Sequence, residues 1–158
     1  MASRPSADPP VTEFAGQLFF RLWRVTHTRT AEALAAVDLT PALFAVLNVI
    51  GDRDGTIQQE LGAKLGIDRS TMVSLIDELE SRGLARRQPS ASDRRAREIA
   101  ITPKGRRLLK RARALILQVE DDVLAGLRLE ERRELFELLR RALEAAPAQP
   151  AWSSAEGD

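Results

Sequence analysis

The chain has 158 residues, with 24 Lys+Arg against 23 Asp+Glu and a formal net charge of +1. That length suits one domain, able to bury roughly 70% of the surface its unfolded chain exposes. At 44% hydrophobic and 30% charged it is globular, and zero cysteines with one histidine exclude a disulfide scaffold, thiolate zinc, thiol redox sensing and any easily assembled metal or triad site.

Residues 1–10 carry three prolines and no apolar signal core, so they read as a disordered tail. A first helix is expected from about Thr12 to Ala36, with Phe20, Trp23, His27, Ala31 and Leu34 on one face. Thr40-Pro41 is an N-cap followed by Pro at the first helical position, opening a second helix to near Gly51. Thr56 and Gln59 fit a capping box for a short helix stopping at Gly66. Asp68 caps the next helix, whose buried stripe is Met72, Ile76 and Leu79 and whose end is Gly83. The period then changes. Leu84–Gln88 is extended, Pro89–Arg95 is turn-like, and Arg97–Ile101 alternates, which makes a hairpin with a basic turn. Thr102-Pro103 repeats the cap-plus-proline signal and starts a long helix to about Gly126, striped by Leu108, Ala112, Leu115, Val119 and Val123. A last helix from about Glu130 to Ala145 carries Leu135, Leu138, Leu139 and Leu143, and residues 147–158 read as a second disordered tail. No stretch approaches the ~18 apolar residues of a spanning helix, so a soluble cytoplasmic protein is expected.

The near-neutral total hides an asymmetry. Arg82–Arg113 holds twelve basic and two acidic residues, a local net of +10, whereas Glu120–Glu144 holds eight acidic and five basic. Such a block is either a solvated face or a footprint for a polyanion, and its position across a turn favours nucleic acid.

The short helix, the turn at Gly66 and the helix after Asp68 form a helix-turn-helix. Arg69, Ser70, Thr71 and Ser74 are its outward N-terminal residues, able to reach base edges or phosphates in a major groove. Many buried helix pairs share that pattern. The basic hairpin that follows turns it into a winged helix, whose wing suits a minor groove.

The wing, Asp93-Arg94-Arg95-Ala96-Arg97-Glu98-Ile99-Ala100-Ile101-Thr102-Pro103-Lys104-Gly105, resembles the D-x-R…L-T-x-x-G signature of the MarR family of transcriptional regulators. Leu61-Gly62, Leu65-Gly66-Ile67, Leu75, Leu79 and Gly83-Leu84 are similar to the same family, so the resemblance runs from about Phe14 to Leu143. It departs at Ile101, where Leu is usual, and at Ser74, where longer polar or basic side chains are common. The resemblance implies a mainly α fold with a small β-hairpin, namely a winged helix-turn-helix core plus N- and C-terminal dimerisation helices. The domain is then residues 11–146, with a DNA-binding core of about 38–103 between dimerisation helices of about 11–36 and 104–145. It also implies a homodimer and repression relieved by small phenolic or lipophilic ligands.

For each residue a plainer reading stands beside the functional one. Asp93 is either a turn former or, by resemblance, the carboxylate that orients a wing arginine. Arg94 and Arg95 are solvated loop charges or minor-groove residues, and their place at a hairpin tip favours DNA. Arg86 and Arg87 read as phosphate contacts or solvent-facing strand charges. Glu78, Glu80, Asp121, Asp122, Glu130 and Glu131 read as solvated helix charges. His27 is a core histidine by default or, with Phe20, Trp23 and Arg24, a wall that takes an aromatic acid; otherwise Phe20 and Trp23 fill a dimer core. Catalysis has no support: there is no nucleophile elbow, phosphate loop or dinucleotide fingerprint, and no cofactor or metal is expected. The reading is a homodimeric repressor of a pseudo-palindromic operator on double-stranded DNA, released by a small aromatic or lipophilic effector. The alternative is a helical interaction protein docking its basic face on an acidic protein partner.

Overall fold

Two Thr-Pro pairs set the frame. In the computed structural model, which describes residues 14–52, 56–90 and 97–146, Thr40 accepts from the Leu43 amide at 3.1 Å and opens helix α2 (Pro41–Asp52). Thr102 accepts from the Gly105 amide at 3.0 Å and opens α5 (Pro103–Val123). In both, the proline occupies a position whose amide has no helical partner to lose. Helix α1 (Ala15–Ala35) precedes α2, and a left-handed Asp38 (φ 54°) turns the chain between them. That strained turn is held from outside, because Arg82 Nη2 donates to the Asp38 carbonyl at 2.6 Å.

The rest follows in the order β1 (Thr56–Ile57), α3 (Gln58–Leu65), α4 (Arg69–Ser81), β2 (Ala85–Pro89), β3 (Arg97–Ile101), α5 and α6 (Leu129–Ala145). The strands form one antiparallel sheet in the order β1-β3-β2, with Thr56 opposite Ile99, and Ala85 and Pro89 opposite Ile101 and Arg97. The expected capping box is therefore corrected. Thr56 pairs in the sheet with its side chain buried, and α3 starts two residues later from Ile57 with no side-chain cap. A two-residue strand has no periodicity to read, and the pairing that defines it lies some forty residues away in β3.

The core is built from Leu34, α2, α3, the Met72–Ile76–Leu79 stripe of α4, Leu84, Ile99 and Ile101 of the sheet, and Leu109 and Ala112 of α5. It ends there. Helix α6 buries no residue, and Phe14, the N-cap of α1, is at least half exposed together with Phe19, Phe20 and Trp23 of its first half. The sequence stripe of α1 thus divides. Leu34 enters the core, while His27 is exposed, which corrects its reading as a core histidine.

Candidate nucleic-acid interface

Helices α3 and α4 meet at a turn that glycine makes possible. Gly66 takes φ 64° at the end of α3, a left-handed conformation costly for a residue with a Cβ, and Ile67 donates back to the Gly62 carbonyl at 3.0 Å. Asp68 then caps α4. Its carboxylate accepts from the Thr71 amide at 2.9 Å and from the hydroxyls of Ser70 and Thr71 at 2.5 Å each. The Ser70 hydroxyl first, then the Thr71 hydroxyl and amide, hold this carboxyl well below the usual carboxylate range. With Met72, Ile76 and Leu79 buried, the opposite face of the first turns is left outside: Arg69, Ser70, Thr71 and Ser74 are all exposed. That is the face expected to enter a groove.

Strand β2 leaves the end of α4 through Gly83 (φ 67°) and carries two adjacent arginines with opposite fates. Arg86 is exposed. Arg87 turns back onto α4, where its guanidinium pairs with Asp77 at 2.6 Å and with Glu80, and its amide donates to Glu80 at 2.5 Å. Arg87 as a phosphate contact and Glu80 as a solvated charge are both corrected. The two face each other across the α4–β2 turn, and because α4 ends at Ser81, between them, no helical or strand period announces the pair. This clamp fixes the wing strand against the recognition helix.

The basic block divides in the same way. Arg82 bonds Glu78 at 3.2 Å as well as the Asp38 carbonyl, Lys104 Nζ donates to the Arg82 carbonyl at 2.8 Å, and Arg113 bridges Asn48 (2.8 Å) and Asp52 (2.6 Å) of α2. These cations hold the winged core together. Arg86, Arg97, Arg107, Lys110 and Arg111 remain exposed. At the wing base, Ser90 is buried and donates to Glu98 at 2.5 Å. Asp93, Arg94 and Arg95 lie outside the described residues.

The second group read from the sequence sits on α1. Trp23 stacks on His27 at 4.9 Å between ring centroids and lies 6.2 Å from Phe20, so three of the four residues come together on one exposed face. Arg24 points to the neighbouring side, where it lines a shallow open groove with Val25, Thr28, Arg29 and Glu32. Among the described residues no helix is long and apolar enough to cross a membrane.

A family model described as the MarR family matches residues 37–96, from the turn before α2 to the wing. The chain is 32% identical over 141 residues to a transcriptional regulatory protein for the hcr operon of Thauera aromatica, covering 87% of this chain and 85% of that one. It is similar in structure to CouR from Rhodococcus jostii RHA1 bound to p-coumaroyl-CoA, with a TM-score of 0.76 and 27% identity over 90% of this chain and all of that one. It is also similar to a MarR-family protein of Mycobacterium tuberculosis in complex with DNA, with a TM-score of 0.71 and 26% identity over 85% and 98% of the two chains.

Proposed function

We propose, because the chain belongs to the MarR family of DNA-binding transcriptional regulators, which are not enzymes, that it acts as a homodimeric repressor released by a small aromatic or lipophilic acid. The observation that carries the dimer is the division of the core. The winged unit buries its own apolar residues, while α6 buries none and α1 exposes its aromatic half. Two copies joined by those helices present two recognition helices related by a two-fold axis, which suits a pseudo-palindrome with half-sites one turn apart. A dimer seated across a promoter represses by occluding it. Docking of the basic face on an acidic protein gives way to family membership.

Within this reading Arg69, Ser70, Thr71 and Ser74 face the major groove, Arg86 contacts phosphate, and Arg94 or Arg95 enters the minor groove with Asp93 orienting the other. Replacing Arg94 or Arg95 with Ala is expected to cost about 1–3 kcal/mol of operator binding and leave the fold intact. Arg86→Ala is expected to weaken all duplexes alike and to lower the slope of log affinity against log salt by about one. Sequencing the genomic DNA that the purified protein selects, followed by salt titrations on the selected site, checks both. An Arg86→Ala variant that alters preference at a single base pair contradicts this sorting.

For the effector, the Phe20–Trp23–His27 stack supplies ring faces and Arg24, on the neighbouring side of α1, supplies the cation for a carboxylate. The acid induces only if it binds the DNA-incompetent dimer more tightly, since equal affinity for both states shifts nothing. Titrating salicylate against the protein–operator complex is expected to release wild type and to leave Arg24→Ala bound. Equal release from both, or none from wild type, assigns these aromatics to packing between the two copies.

A further inference from the structure

Three hydroxyls on the outward face of α4 donate within the helix, and two of them are held by a carboxylate. Ser70 Oγ donates to Asp68 Oδ1 and Thr71 Oγ1 to Asp68 Oδ2, each at 2.5 Å, and Ser74 Oγ donates to the Ser70 carbonyl at 3.2 Å. A hydroxyl has one O–H to give and two lone pairs with which to accept. The bonds to Asp68 have a charged acceptor and are short, which places them among the strong ones. Giving either hydrogen to a DNA group would leave the carboxylate short of a partner beside a polyanion. Ser70 and Thr71 therefore meet DNA with lone pairs only. Ser74, bonded to a neutral carbonyl at longer range, keeps freedom to turn.

We propose that Ser70 and Thr71 act as obligate acceptors that select bases presenting an exocyclic amine in the major groove, adenine through N6 or cytosine through N4. Guanine presents O6 and N7 there and thymine O4, all acceptors, and phosphate oxygens only accept. The two hydroxyls thus reject guanine and take no backbone contact. Arg69, the only cation in α4, supplies the charged donor, and Ser74 keeps a hydroxyl hydrogen it can give. Asp68 is the positioning residue, acting through the hydroxyls it holds. This rests on the major-groove reading above and adds the hydrogen-bond polarity of that recognition.

The test begins with a duplex selected from a random pool by the full chain. In that site each adenine is replaced in turn by purine, which lacks the N6 amine, each cytosine by 2-pyrimidinone, which lacks N4, and each guanine by 7-deazaguanine, which lacks N7. Removing one amine in each half-site is expected to weaken wild-type binding about tenfold, and the penalty is expected to vanish in Ser70→Ala/Thr71→Val. Penalties from 7-deazaguanine are expected to persist in that variant. Asp68→Asn, which keeps a good N-cap but gives up one accepting oxygen, is expected to admit guanine at the affected position; it carries the test if the double variant folds poorly. A 7-deazaguanine or methylphosphonate penalty that disappears in Ser70→Ala/Thr71→Val shows that the hydroxyls donate and overturns the proposal. Amine substitutions without effect overturn it too, while leaving DNA binding in place. Absence of binding to any duplex overturns the DNA reading and this inference together.

Discussion

Aspartate at Phe136 and Leu143 together is expected to leave the chain monomeric and to lower operator affinity at least a hundredfold. Leu129, Phe136 and Leu143 recur every seven residues along α6, so they form one line on the helix, and they are 60%, 47% and 75% exposed in the single chain. Among the described residues, their own protomer leaves about half or more of each side chain uncovered. Fully burying a Leu or Phe side chain contributes about 1.5–3 kcal/mol, and a two-fold axis counts each substitution twice. Removing four such groups and placing four carboxylates in the interface outweighs the binding energy of a micromolar dimer, about 8 kcal/mol. Each half-site must then be held by one winged core, without the second contact that linkage makes nearly intramolecular, which alone accounts for a loss of 10²–10⁴-fold. Sedimentation equilibrium and operator titration measure the two effects, and circular dichroism checks that the helices survive. A variant that stays dimeric at micromolar concentration places the interface on another surface.

The elements with strong local chemistry were legible in the sequence. Thr40, Asp68 and Thr102 all cap the helices their positions announced, Gly66 and Gly83 take the left-handed turns, and Met72, Ile76 and Leu79 are buried as a period of 3.6 requires. What escaped the sequence is non-local. Strand β1 exists because Ile99 passes beside Thr56, and Arg87 leaves the basic surface because Asp77 and Glu80 lie across a turn from it. Periodicity also marks a face as apolar without saying what covers it. His27 lies on such a face and is exposed beside Trp23, since the winged core ends at the level of Leu34. At the recognition helix the residue types could be read, but not the direction of their hydrogens. Asp68 was legible as a cap, and its hold on the Ser70 and Thr71 hydroxyls needed coordinates.

The signature glycine shows the same limit from the side of stability. Gly105→Ala is expected to destabilise the protein by about 2 kcal/mol, the upper end of the overpacking cost, about 3 kcal/mol, less the up to about 1 kcal/mol by which alanine is the better helix former. The start of α5 is pulled against the turn that joins α4 to β2. Thr102 donates its amide to the Leu84 carbonyl at 3.0 Å and its hydroxyl to the Gly83 carbonyl at 2.7 Å, while Lys104 reaches the Arg82 carbonyl. A Cβ on Gly105 would then lie 2.1 Å from the Leu84 carbonyl oxygen, 3.0 Å from its carbon and 2.9 Å from Ile101 Cγ1. The first two are backbone atoms held by those same bonds, so relief requires moving the helix itself, and overpacking of that kind costs 1–3 kcal/mol or more before the propensity gain is subtracted. Gly51 is the internal control. Its added Cβ would come within 2.3 Å of Leu109 Cδ2, the tip of a side chain able to turn away, so Gly51→Ala is expected to cost less. Urea unfolding of the two variants at one protein concentration compares them directly, with the Gly105→Ala midpoint about 1 M below wild type for a slope near 2 kcal/mol/M. A Gly105→Ala protein as stable as wild type would show that α5 is not seated on Leu84, and the wing would then lack its rigid link to the dimerisation helices.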